Sequence, residues 1–229
     1  MKTIGIIGGM SWESSSEYYR IINEEVKKRL GGYHSAKCIL YSVDFDEIEI
    51  CQRNGQWGKT GEILTDAARS LEAAGANFII LGTNTMHKVA EKIQSGIRVP
   101  FLHIADLTAE QVIHKGINTI GLLGTRYTME QDFYKSRLEA KGIKVLIPEE
   151  TERILVNDII FKELCLGKII DRSRAEFKII MEDLTAKGAE GIILGCTEIG
   201  MLVKLEDAKV PLFDTTVIHA VGAVDLALK

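Results

Sequence analysis

Along the chain, short and nearly unbroken apolar runs alternate with longer stretches in which apolar residues return every three or four positions. The runs at 3–7, 38–43, 78–81, 119–124, 143–147 and 192–195 have the length and continuity of strands buried on both faces of a parallel sheet. Two shorter strands are opened by Val99-Pro100 and Val210-Pro211. Tyr18, Ile21, Ile22, Val26 and Leu30 predict a helix that Ser11 caps and Gly31-Gly32 stops. Leu64, Ala67, Ala68 and Leu71 predict another over 61–74. Further helices are expected up to about residue 94, over 109–114, 129–141, 150–166 and 172–187, and from 216 to the end. The polar stretch 44–59 reads as a loop with a short helix.

The pattern runs through twice. Thr3-Ile-Gly-Ile-Ile-Gly8 returns as Thr119-Ile-Gly-Leu-Leu-Gly124, and Gly75-Ala-Asn-Phe-Ile-Ile-Leu-Gly82 as Gly188-Ala-Glu-Gly-Ile-Ile-Leu-Gly195. Val99-Pro100-Phe-Leu102 returns as Val210-Pro211-Leu-Phe213. Three landmarks in the same order make an internal duplication the economical reading. The fold class expected is α/β: two pseudo-symmetric domains of flavodoxin-like or Rossmann-like type, each with a parallel sheet. In such sheets ligands sit beyond the carboxyl ends of the strands. Four loops open there, at 8–11, 82–85, 124–128 and 195–198, and the active site is expected in the cleft between the domains.

Composition narrows the function more than the fold. With 46% hydrophobic residues and a net charge of −4, the chain carries no global field for nucleic acid or an anionic membrane. No apolar run approaches the roughly 18 residues that span a bilayer. The N-terminus enters a strand rather than a signal peptide, so a cytoplasmic location is expected. Cys38, Cys51, Cys165 and Cys196 show no C-x-x-C spacing and are expected as free thiols. Gly5-Ile-Ile-Gly-Gly9 lacks the spacing of a dinucleotide loop, Gly58-Lys59-Thr60 lacks the first glycine of a P-loop, and His103, His114 and His219 share no ligand spacing.

Chemistry gathers at the second copy of the strand end. Cys196, Thr197 and Glu198 follow an apolar run directly, where backbone N–H groups and a helix start would favour a thiolate and Glu198 could accept its proton. A buried structural thiol fits Cys196 equally well on its own. The first copy tips the balance, because Thr83, Asn84 and Thr85 occupy the matched positions. Two polar loops aimed at one cleft suit a reaction in which a carbon loses a proton on one face and regains it on the other.

Taken with Gly8-Gly9-Met10-Ser11, Gly82-Thr83-Asn84-Thr85, Leu123-Gly124-Thr125 and Gly195-Cys196-Thr197-Glu198, the chain resembles the cofactor-independent aspartate/glutamate racemase superfamily, in its aspartate racemase-like branch, over its whole length. The resemblance implies two similar α/β domains, the first comprising 1–100 with 210–229 and the C-terminal helix and the second 101–209, together with an amino-acid substrate, no pyridoxal phosphate, metal or nucleotide as cofactor, and a homodimer. It also implies catalysis by a cysteine from each loop, with Cys196 serving the L-enantiomer. Position 83 departs from that pattern. A hydroxyl is a far weaker base than a thiol, so L-substrate is expected to react and D-substrate poorly.

Asn84, Thr85, Thr125 and Thr197 are the expected donors to the developing enediolate, with Met10 and Ser11 closing the pocket. Gln52 and Arg53 are preferred for a distal carboxylate, over Arg126 and Lys168. The expected function is racemisation of aspartate or glutamate. The alternatives are a one-cysteine decarboxylase or cis-trans isomerase of dicarboxylates, and a non-catalytic dicarboxylate or amino-acid binding protein.

Overall fold

The computed structural model describes residues 1–229, which divide into two compact units: Met1–Ile104 with His219–Lys229, and Ala105–Ile218. The first unit contains β1 (Ile4–Gly8), α1 (Trp12–Leu30), β2 (Cys38–Ser42), α2 (Phe45–Arg53), α3 (Trp57–Ala73) and β3 (Phe78–Leu81). A 3-10 turn (Thr85–Val89), α4 (Ala90–Ser95) and β4 (Phe101–Leu102) complete it, and α5 (Ile104–His114) leads into the second unit. There follow β5 (Thr119–Gly124), α6 (Arg126–Glu130), α7 (Asp132–Glu139), β6 (Lys144–Leu146), α8 (Glu150–Lys162), α9 (Asp171–Ala186) and β7 (Gly191–Gly195). The last elements are α10 (Ile199–Leu202), β8 (Leu212–Asp214) and α11 (Thr215–Leu228), which carries the chain back into the first unit. No helix is long and apolar enough to cross a membrane.

Both sheets are four-stranded and all-parallel, in the orders β2-β1-β3-β4 and β6-β5-β7-β8. The duplication read from three sequence landmarks is thus repeated in topology, and it extends to packing. A Cβ on Gly5 would stand 2.6 Å from Ile79 Cδ1, and one on Gly121 the same distance from Ile192 Cδ1. Leu71 and Leu184 lie beside these contacts in their respective units. In each half a bare glycine on the first strand lets the isoleucine of the third lie across it.

Side chains of the first sheet alternate between two cores. Ile79 and Leu81 pack with Ile48, Leu64, Ala68 and Leu71 from α2 and α3. Phe78 and Ile80 pack with Tyr18, Ile22 and Val26 from α1 and with Ala220, Ala223 and Val224 from α11. The central strands are buried throughout, which explains their unbroken apolar character.

Several expected boundaries move. The stretch 44–59 is largely helical: Asp44 caps α2 by accepting from Asp46 N–H, and a narrow stripe of Ile48, Cys51 and Gln52 is buried. The single helix expected over 129–141 is broken at Gln131, whose backbone is extended (φ −93°, ψ 155°); α6 ends before it and α7 begins after it. Met129 joins the core under α8 and α9, a cluster to which the buried Tyr134 and Leu138 of α7 do not belong. The segment 210–218, expected with the first domain, stays with the second unit, because Leu212–Asp214 pairs with β7 and completes that sheet.

Candidate active site

In the order 2-1-3-4 the winding of the sheet reverses between the first and third strands, and ligands of such folds bind outside the carboxyl ends of the strands at that point. Each unit presents two loops there. In the first unit they follow β1 and β3, whose ends lie side by side, and carry Met10-Ser11 and Thr83-Asn84-Thr85. In the second they follow β5 and β7 and carry Thr125 and Cys196-Thr197-Glu198. Gly124 and Gly195 are direct strand partners, and a Cβ on Gly124 would meet Gly195 O at 2.7 Å. Any side chain at that glycine would push the two loops apart.

Cys196 is buried, and its thiol donates to Glu198 Oε2 at 2.9 Å. The Thr197 hydroxyl donates to the same oxygen, also at 2.9 Å. One carboxylate oxygen thus gathers both neighbours. Burial pushes the Cys196 thiol well above its ordinary pKa, and the adjacent Glu198 charge pushes the same way. This corrects the thiolate expected from position alone. The helix after the loop, α10, is only four residues long and offers little dipole, while the burial at the end of β7 favours the neutral S–H. The loop is braced from α11: Thr215 Oγ1 donates to Leu194 O at 2.8 Å and Thr216 Oγ1 to Thr197 O at 3.4 Å. Thr125 caps α6, its hydroxyl accepting from Thr128 N–H at 3.3 Å.

In the first unit Thr83, Asn84 and Thr85 are buried. Ser11 caps α1, accepting from Ser14 N–H at 3.4 Å, and its carbonyl accepts from Ser15 Oγ. Ser15 Oγ in turn accepts from Gly9 N–H at 2.8 Å. The loop after β1 is therefore closed on the first turn of its own helix.

A family profile described as Asp/Glu/Hydantoin racemase matches residues 7–223. The chain belongs to this family. Its members are cofactor-independent amino-acid racemases, a class of isomerase. The chain is 56% identical to an Asp/Glu-racemase-type protein of Yersinia pestis, whose crystal structure superposes with a TM-score of 0.93 over 100% of both chains. An aspartate racemase homologue of Pyrococcus horikoshii OT3 is 37% identical, with a TM-score of 0.87 over 100% of both. The broad specificity amino-acid racemase RacX of Bacillus subtilis (strain 168) is 24% identical over 238 residues, 98% of each chain.

The racemase-type loops leave the expected cations in distinct positions. Gln52 is buried in α2 and donates to Met86 Sδ at 3.7 Å. Arg53, the last residue of α2, has a side chain 66% exposed and only a loose contact of 3.7 Å with Glu49. Arg126 is engaged with Glu130 through two nitrogens, at 2.9 and 3.2 Å, and Lys168 lies exposed beyond α8. No three of the His, Cys, Asp and Glu side chains are grouped to hold a metal ion.

Two features escaped the sequence reading. Ser14, in the first turn of α1, is buried with its Oγ lacking a hydrogen-bond partner, and buried polar groups are rarely left so. His87, buried in the 3-10 turn after Asn84, binds the carbonyl of Thr83. Its position four residues past Thr83, one helical turn away, was the available signal.

Proposed function

We propose that the protein racemises acidic amino acids, aspartate or glutamate, with Cys196 and Thr83 working on opposite faces of the α-carbon and with L-substrate preferred. The observation that carries this reading is the Cys196–Glu198 hydrogen bond at a strand end whose structural twin presents Thr83. Glu198 takes the thiol proton, and the resulting thiolate removes the α-proton of the L-enantiomer. The burial that disfavours the thiolate also makes it a stronger base once formed. On the opposite face the Thr83 hydroxyl delivers a proton to the carbanion, directly or through water, and regains one from solvent, while Glu198 gives up the proton it took, which restores the starting state.

Charge on the enediolate requires donors aimed where it develops. Asn84, Thr85, Thr125 and Thr197 fill that role in this reading, and Met10 and Ser11 close the pocket. The unused hydroxyl of Ser14 adds a donor near the start of α1. Gln52 and Arg53 receive the distal carboxylate; Arg53 is freer to do so than Arg126, which is already held by two bonds to Glu130.

The test is incubation of L-aspartate and L-glutamate in D₂O without added cofactor, followed by chiral separation and mass analysis. Deuterium at Cα together with D-enantiomer is expected. Absence of Cα exchange for both substrates between about pH 6 and 9 would sink the reading. Exchange accompanied by loss of carbon dioxide would instead favour decarboxylation, which the single cysteine of the two loops keeps as the second reading.

A further inference from the structure

We infer that His87 is a positioning residue for the Thr83 face of the reaction, an inference that rests on the racemase reading above. The ring is buried, with Nδ1 2.7 Å from Thr83 O and Nε2 3.2 Å from Ile104 N. A carbonyl can only accept and a backbone N–H can only donate. Both bonds together require a neutral imidazole with its proton on Nδ1. The ring thus ties the second residue of the loop after β3 to the first residue of α5. His103 and Phe101 pack against it, with ring centroids 4.4 and 5.5 Å away, and Asn84 O accepts from the His87 backbone N–H at 3.1 Å.

Such a tie matters more at Thr83 than it would at a cysteine. A hydroxyl is a poor acid, so proton delivery from it depends on holding it within reach of the carbanion. A displacement of about 1 Å at a reacting group costs on the order of a hundredfold in rate. Thr83 has one other backbone anchor, its N–H to Leu81 O at 2.8 Å, which fixes the strand side of the loop. His87 fixes the carbonyl side.

The two faces can be read separately. In D₂O, exchange into remaining L-aspartate reports proton removal and return by Cys196 alone, whereas D-aspartate requires delivery from the Thr83 face. The amide of His87→Asn places a donor where Nδ1–H stands, while that of His87→Gln reaches the Nε2 position. Both substitutions are compared with wild type in the ratio of D-product formed to L-exchange, after matched thermal melts. The expected result is a ratio within about threefold of wild type for His87→Asn and at least tenfold lower for His87→Gln. Equal ratios in the two variants, or a higher ratio in His87→Gln, overturn the positioning role, since a merely structural contribution would scale both rates together. Wild-type protein that shows no exchange at all sinks the racemase reading instead, and so the two failures are distinct.

Discussion

Glu198 Oε2 lies 2.9 Å from Cys196 Sγ, and the same oxygen also accepts the Thr197 hydroxyl. The pairing has two consequences of opposite sign for Glu198→Gln. Loss of the proton acceptor is expected to lower racemisation by about two to three powers of ten. Loss of its negative charge removes one of the causes that raise the thiol pKa, so Cys196 ionises at lower pH than in wild type. Rates of iodoacetamide alkylation at Cys196, followed against pH by mass spectrometry, should shift to lower pH while turnover falls. A shift to higher pH would show that Glu198 assists ionisation rather than opposing it.

The first unit carries Thr83 where the second carries Cys196, and both side chains are buried beside the switch point of their sheets. Thr83→Cys is expected to raise turnover of the D-enantiomer at least tenfold, because a thiolate can remove the proton that a hydroxyl cannot. Cys196→Ala is expected to abolish exchange of L-substrate in both backgrounds. Chiral assay of initial rates from pure L- and pure D-substrate checks this, and unchanged D-rates in Thr83→Cys would remove the two-face arrangement.

The strand ends that hold these residues were legible because burial on both faces leaves an unbroken apolar run. Phe78–Leu81 and Thr119–Gly124 have the bounds their sequences suggest. The duplication was legible for a related reason: Gly5 and Gly121 each make room for one isoleucine, and that constraint preserves the same short words in both halves. Features that depend on a distant partner were hidden. The stripe on α2 has only three buried residues among polar ones, and its meaning comes from the core it meets. The break at Gln131 separates Met129, which joins the core under α8 and α9, from the buried Tyr134 and Leu138, which lie outside that cluster. The upward push on the Cys196 thiol pKa comes first from burial, which no local motif records. His87 lies one turn past Thr83, yet its tautomer is set by Ile104, seventeen residues further on.

The glycine–isoleucine contacts at the two sheet centres differ in what surrounds them. A Cβ on Gly5 would meet not only Ile79 Cδ1 but also Ala76 Cβ at 2.8 Å, an atom fixed to the backbone. A Cβ on Gly121 meets Ile192 Cδ1 and Leu184 Cδ1 first, both ends of side chains that can rotate away. Gly5→Ala is therefore expected to destabilise by about 1–3 kcal/mol, and Gly121→Ala by less. Urea denaturation of the two variants against wild type measures the difference. A larger loss in Gly121→Ala would mean that the backbone around Ala76 yields more readily than the side chains around Leu184.

His219 gives the fold an acid-sensitive point at the place where α11 re-enters the first unit. Its Nε2–H donates to Leu102 O at 2.9 Å and its Nδ1 accepts from Tyr18 O–H at 2.9 Å, an arrangement that needs a neutral ring. Burial lowers its pKa from 6.5 to about 4. Between those values the unfolded chain binds a proton that the folded chain refuses. Stability is therefore complete above about pH 6.5 and falls as pH drops toward 4, by on the order of 3 kcal/mol from this residue. His219→Gln keeps one donor and one acceptor without the titration. It is expected to be less stable than wild type at pH 7.5 and to lose less of its stability between pH 7 and 4.5. Denaturant midpoints for both proteins across that range provide the check. Parallel losses in the two would assign the acid sensitivity to other groups.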